Sequence, residues 1–82
     1  MDIGEQVTAE SRAQWRTWLA SHHMTRSNIW LVLYKKGSRQ ASVKYDEAVE
    51  EALCFGWIDG QMKSIDSERY ALRFSPRRKR SN

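Results

Sequence analysis

Eighty-two residues allow one small domain, near the lower size at which a chain buries enough surface to fold unaided. With 40% apolar residues and four tryptophans the chain is too rich in core-formers to be disordered, and no apolar run approaches the roughly 20 residues of a membrane span. Its net charge of +4 is terminal: ten acidic and ten basic residues balance up to position 76, so the excess is Arg77, Arg78, Lys79 and Arg80.

The opening stretch, MDIGEQVTAES, is polar and acidic and lacks the apolar centre of a secretory signal. The one cysteine, Cys54, has no internal disulfide partner, so the expected location is a reducing cytoplasm. From Ser11 to His22, Trp15, Trp18, Leu19 and His22 recur at helical spacing; Ser11 with Gln14 has the form of a capping box, and Thr8 is a competing start. Ile29–Tyr34, IWLVLY, is an unbroken β-branched and aromatic run closed by Lys35, Lys36 and Gly37. That pattern predicts a strand buried on both faces, hence a central one.

A second helix is expected over Tyr45–Cys54, with Val49, Ala52 and Leu53 on the buried face beside Tyr45 and Ala48. Asp46, Glu47, Glu50 and Glu51 then form a solvated acidic face that complements the helix N-terminus. Gly56 ends the helix. Cys54, in the last turn, has no cationic neighbour or helix N-terminus to activate it and reads as a buried structural thiol. His22 and His23 are adjacent and point apart on a helix, and no Cys/His/Asp spacing suits a metal. Gly37, Gly56 and Gly60 lack the spacing of a nucleotide loop, so no cofactor is implied.

Trp57–Lys63 and Arg69–Ser75 alternate with period two, and Ser64–Glu68 closes them into a hairpin. Pairing Asp59 with Arg73 and Met62 with Tyr70 turns Ile58, Gly60, Met62, Tyr70, Leu72 and Phe74 to one side. Trp57, Asp59, Gln61, Lys63, Arg69, Ala71 and Arg73 then face outward. The expected architecture is a single α+β domain, 1–76, with a basic tail, 77–82. Two helices pack on one face of a three-stranded sheet, in the order helix, strand, helix, strand, strand. The expected core is Trp15, Trp18, Leu19, Leu31, Leu33, Val49, Leu53, Ile58, Leu72 and Phe74.

Several segments carry a family resemblance: WRTWL at 15–19, IWLVLYKKG at 29–37, YDEAVEEALCFGWIDGQ at 45–61, DSERY at 66–70, FSPRR at 74–78 and the final Ser81 and Asn82. Together they resemble the bacteriocin-protection, YdeI-or-OmpD-associated family of bacterial proteins. The resemblance implies a link to tolerance of antimicrobial peptides or bacteriocins and to an outer-membrane porin, and brings no established catalytic residue or cofactor. Members usually continue past the Ser-Asn that closes this chain, which is therefore expected to be a short member or a fragment. Lys44 stands where the family tends to carry Thr or Ser, and a lysine has no side-chain acceptor with which to cap a helix.

The outward hairpin face, Trp57, Asp59, Gln61, Lys63, Arg69 and Arg73, has the composition of a recognition surface for a protein or peptide partner. A non-enzymatic binding module serving envelope stress is the first functional reading. A small-molecule enzyme with Asp59 as general base is the second, and it lacks a positioned second acid, nucleophile or metal. Weak phosphate or nucleic-acid contact through Arg77, Arg78, Lys79 and Arg80, joined by Lys35 and Lys36, is the third. A sheet bare on one face, with Trp57 and Ala71 exposed there, further predicts self-association.

Overall fold

A computed structural model describes residues 5–35 and 42–77. Their order is β1 (Gln6–Thr8), α1 (Arg12–His22), β2 (Ile29–Tyr34), α2 (Tyr45–Cys54), β3 (Trp57–Ser64) and β4 (Arg69–Pro76). The class is α+β, but the sheet has four strands, ordered β1-β2-β4-β3, which corrects the expected three. The additional strand, β1, runs parallel to β2 with Val7 beside Leu31. It holds a single large apolar residue in a polar stretch, so it has no alternation for a pattern to register.

Both helices begin with imperfect caps. Ser11 is the N-cap of α1 and accepts the Gln14 N–H at 3.3 Å, while the Gln14 side chain accepts from Glu10 N–H at 2.9 Å, one residue before the reciprocal partner of a capping box. Lys44 is the N-cap of α2, and its own N–H donates to the Glu47 carboxylate at 3.3 Å. The missing acceptor on Lys44 is offset by Asp46, whose carboxylate takes the Glu47 N–H at 2.9 Å. At the other end Gly56 adopts φ +78 and its N–H donates to the Leu53 carbonyl at 3.0 Å. Only glycine enters that left-handed region without strain, which is why α2 stops there.

The main core lies between the helices and one side of the sheet. Trp15 and Leu19 from α1 and Ala48 and Ala52 from α2 pack with Ile29, Leu31, Leu33, Trp57, Leu72 and Phe74. Trp15 is central: its ring stacks on Trp18 at 5.5 Å, tilts against Phe74 at 5.2 Å, and its indole N–H donates to the Ala48 carbonyl at 2.9 Å. A buried indole needs such an acceptor, and here the acceptor also ties α1 to α2. Leu53 and Ile58, expected inside, are exposed, while Trp18 and Val49 are half-buried. The buried stripe of α2 runs through Ala48, Glu51 and Ala52, which turns Leu53 and Cys54 toward solvent. Cys54 is accordingly an exposed free thiol, correcting its expected burial.

Glu51 is the largest departure from the expected solvated acidic face, being only 5% exposed. Arg16 Nε lies 2.9 Å from one of its oxygens, Arg12 Nε lies 2.8 Å from the other, and Arg12 Nη2 reaches Glu50 at 2.8 Å. Arg12 and Arg16 stand one turn apart on α1, flanking Trp15, so the ionic seam and the indole hydrogen bond close the same helix pair. Hydrogen bonds from Arg16 and then Arg12 hold the Glu51 carboxyl at about 2, against an ordinary 4.5.

A carboxyl whose folded pKa is depressed stabilises the fold above its unfolded value, and that contribution drains away as pH falls from about 4.5 toward 2. Glu51→Gln is expected to cost roughly 2–4 kcal/mol at neutral pH, because it leaves two guanidiniums against an uncharged amide. It should also flatten the acid limb in that window. Urea unfolding followed by tryptophan fluorescence across pH 2 to 7 measures both, and a variant as stable as wild type at pH 7 would show the seam to be idle.

Candidate functional site

The hairpin was expected to carry six site residues on one face, and its register decides where they go. Next to the loop Met62 pairs with Leu72, Lys63 with Ala71 and Ser64 with Tyr70, whereas further along Asp59 pairs with Phe74 and Trp57 with Pro76. Gly60 and Gln61 therefore stand together opposite Arg73, as a β-bulge. The expected pairs, Asp59 with Arg73 and Met62 with Tyr70, do not form. One extra residue reverses which side every following residue faces, so Trp57 and Asp59 turn to the helix side while Ile58 turns away from it.

Trp57 is consequently a core residue, 1% exposed, and meets Trp18 edge-on at 6.1 Å. Asp59 takes the Tyr45 phenol as hydrogen-bond donor at 2.9 Å, linking β3 to the start of α2. That bond, then desolvation, raises the Tyr45 pKa above the ordinary phenol value. His22 and His23, unpaired with any metal-like cluster among the described residues, stack on Trp18 at 4.7 Å and pack against Phe55 at 4.9 Å.

The other side of the sheet keeps Gln61, Lys63, Arg69 and Arg73 from the expected set. Its centre is covered: Trp30 is 7% exposed, Ala71 is buried, and Ile65 packs against them. The Lys63 ammonium sits 5.9 Å from the Trp30 ring, within cation–π range. Trp57 and Ala71 are thus both buried, which removes the exposed apolar face on which self-association was expected.

Charge is sorted along this face. At the hairpin loop, Asp66 accepts from the Glu68 and Arg69 N–H groups at 2.9 and 2.8 Å and pairs with the Arg69 guanidinium at 2.9 Å. Those backbone bonds, with Arg69, hold the Asp66 carboxyl below its ordinary value. Tyr34, Asp66, Ser67, Glu68 and Arg69 line a cleft of about 380 Å³ there. At the far end, Ser27, Asn28, Ile58, Arg73, Ser75, Pro76 and Arg77 line a cleft of about 700 Å³ with no carboxylate in it. Neither cleft includes Asp59, so the general-base reading gains no substrate pocket from them.

Lys35 is exposed, and its backbone N–H donates to the Glu68 carbonyl at 2.7 Å. Arg77 is exposed, its N–H donating to the Gly56 carbonyl at 2.6 Å. Lys36, Arg78, Lys79 and Arg80 lie outside the described residues. Sequence reasoning did not select Ser27, Asn28 or Ser75, which are isolated polar residues. Their convergence depends on the strand order that brings the starts of β2 and β3 to the end of β4.

The family profile for Domain of unknown function (DUF8412) matches residues 7–82, and the chain belongs to that family. No curated protein and no solved structure matches the chain. The membership assigns no activity, and the resemblance to the bacteriocin-protection family rests on the sequence segments alone. Among the described residues no helix is long and apolar enough to cross a membrane.

Two outcomes follow from the register. Trp57→Ala should destabilise the fold by roughly 3–5 kcal/mol, as large-to-small changes of buried aromatic residues do. A shift in the urea midpoint measures this, and a fold left unchanged would return Trp57 to the surface. Asp59→Asn should bring the Tyr45 phenol back toward its ordinary pKa, read by tyrosinate absorbance during alkaline titration; an unmoved titration would break the Tyr45–Asp59 link.

Proposed function

We propose that the chain is a non-enzymatic binding module that receives an acidic segment of a partner protein or peptide on the open face of its sheet. The observation that supports this most is the placement of charge. Lys63, Arg69 and Arg73 project from strand positions of one face, Arg77 continues the line, and among the described residues no strand position on that face carries a carboxylate. Asp66 offsets Arg69, so the uncompensated charge on this face is that of Lys63, Arg73 and Arg77.

Such a surface attracts acidic partners and steers their approach. It does not suit direct capture of cationic antimicrobial peptides, whose charge has the same sign. A bacterial role in peptide tolerance, as the family resemblance implies, is therefore proposed to run through an anionic partner. Nucleic acid is the less favoured occupant, because single strands are usually held by exposed aromatic platforms and Trp30 is 7% exposed beneath Lys63.

Fluorescence anisotropy with a labelled glutamate-rich peptide tests the proposal. Binding should weaken with salt, and Lys63→Glu/Arg73→Glu should reduce affinity about tenfold or more. Peptide binding equal in both proteins would remove the face from consideration. An oligonucleotide that binds tighter than the peptide would replace the acidic partner with a nucleic acid.

A further inference from the structure

The six arginines among the described residues fall into two groups. Arg12, Arg16, Arg26 and Arg69 each have a carboxylate within 2.9 Å. Arg73 and Arg77 have no ion-pair partner among the described residues, and both line the same 700 Å³ cleft at the end of the sheet. A chain that pairs four guanidiniums and leaves two along one cleft has a local excess of donors and of charge.

We infer that this cleft is a binding site for a phosphate group, with Arg73 and Arg77 as its two charged arms. The inference rests on the open-face reading and identifies the chemical group that one end of that face takes. Two guanidiniums match the charge of a phosphate dianion, and each presents planar N–H forks that suit its oxygens. Ser27 and Ser75 add hydroxyl donors. The Asn28 amide donates to Ser27 Oγ at 3.3 Å, which leaves the Ser27 O–H to turn toward a ligand. A single carboxylate carries one charge and two oxygens, so among the anionic groups a segment can present, a phosphate is the one that uses both arms at once.

The arms are mounted on fixed backbone. Arg73 sits in β4 between Trp30 of β2 and the Gly60–Gln61 bulge of β3. Arg77 is tied to the end of α2 through its N–H bond to Gly56. Ile58, brought to this side by the bulge, gives the cleft an apolar wall. The phosphate could be free, or it could be carried on a side chain of the partner segment.

The test is a ¹H–¹⁵N NMR titration of the full chain with sodium phosphate at constant ionic strength, with chloride as reference. Saturable shifts are expected at the Arg73 and Arg77 Nε–Hε signals and at the Asn28 and Ser75 amides. Arg73→Gln and Arg77→Gln should each weaken phosphate binding about tenfold, and both positions are exposed enough for the fold to be retained. A phosphoserine peptide that binds tighter than inorganic phosphate and than its unphosphorylated form places the group on a partner; equal binding of phosphate and phosphopeptide identifies free phosphate as the ligand. Shifts spread evenly over Arg12, Arg16, Arg26 and Arg69, or either variant binding phosphate like wild type, would overturn the site. Phosphate bound at the cleft by a chain that ignores the glutamate-rich peptide would keep the cleft and sink the acidic-segment reading. Glutamate-rich peptide binding without phosphate binding would do the reverse.

Discussion

Two residues opposing one, at Gly60 and Gln61 against Arg73, set the division of labour in this domain. Without that bulge the hairpin would keep one alternation throughout, and Trp57 would lie beside Lys63 on the outside. With it, the half of β3 nearest α2 delivers an indole to the core, while the half nearest the loop delivers a lysine to the opposite face. Trp57 then meets Trp18, which stacks on Trp15, which tilts against Phe74. The bulge thus adds Trp57 to the aromatic cluster that holds helices to sheet while Lys63 stays on the other side with the basic residues of β4. A Cβ on Gly60 would lie 3.7 Å from the Arg73 carbonyl, ordinary contact, so the bulge does not depend on glycine for space there.

The helix pair treats charge differently from the sheet. Glu51 is buried and satisfied by two arginines, and Glu50 joins them at the rim. Burying a carboxylate is costly unless its partners are well placed, so the benefit of the seam lies in fixing how α1 meets α2. It also consumes basic and acidic side chains in equal measure. Arg26 with Glu5 and Arg69 with Asp66 do the same elsewhere. What remains on the open face is a residue of uncompensated basic groups, even though the chain to position 76 has no net charge. Overall neutrality therefore says little about the field a partner meets, because folding separates the charges that composition adds together.

Much of the fold was legible. Tyr45–Cys54 and Ile29–Tyr34 were read with the bounds they have, since a helix closed by Gly56 and an unbroken apolar strand are strong local patterns. β1 escaped because a three-residue edge strand gains its identity from pairing with β2. Alternation marks the hairpin but cannot reveal where a ladder takes an extra residue, so the faces differ from the expected ones beyond the bulge. Glu51 was expected on a solvated face and is buried instead, because its environment is set by Arg12 and Arg16 of another helix. The face divides in the same way: alternation puts Lys63, Arg69 and Arg73 on one side, whereas the convergence of Ser27, Asn28 and Ser75 depends on the strand order.

The same bulge bears on which part of the sheet is free to recognise anything. β3 is an edge among the described strands, and an edge normally offers its unpaired N–H and C=O groups to another strand. A two-against-one step interrupts that repeat and twists the strand, and Lys63 near one end adds a charge to be desolvated. Strand addition along β3 would have to match an irregular ladder. On the face itself Trp30, Val32 and Ala71 are already buried, and Arg73 and Arg77 are exposed. The described sheet thus presents side-chain charge on this face and an irregular ladder at its β3 edge.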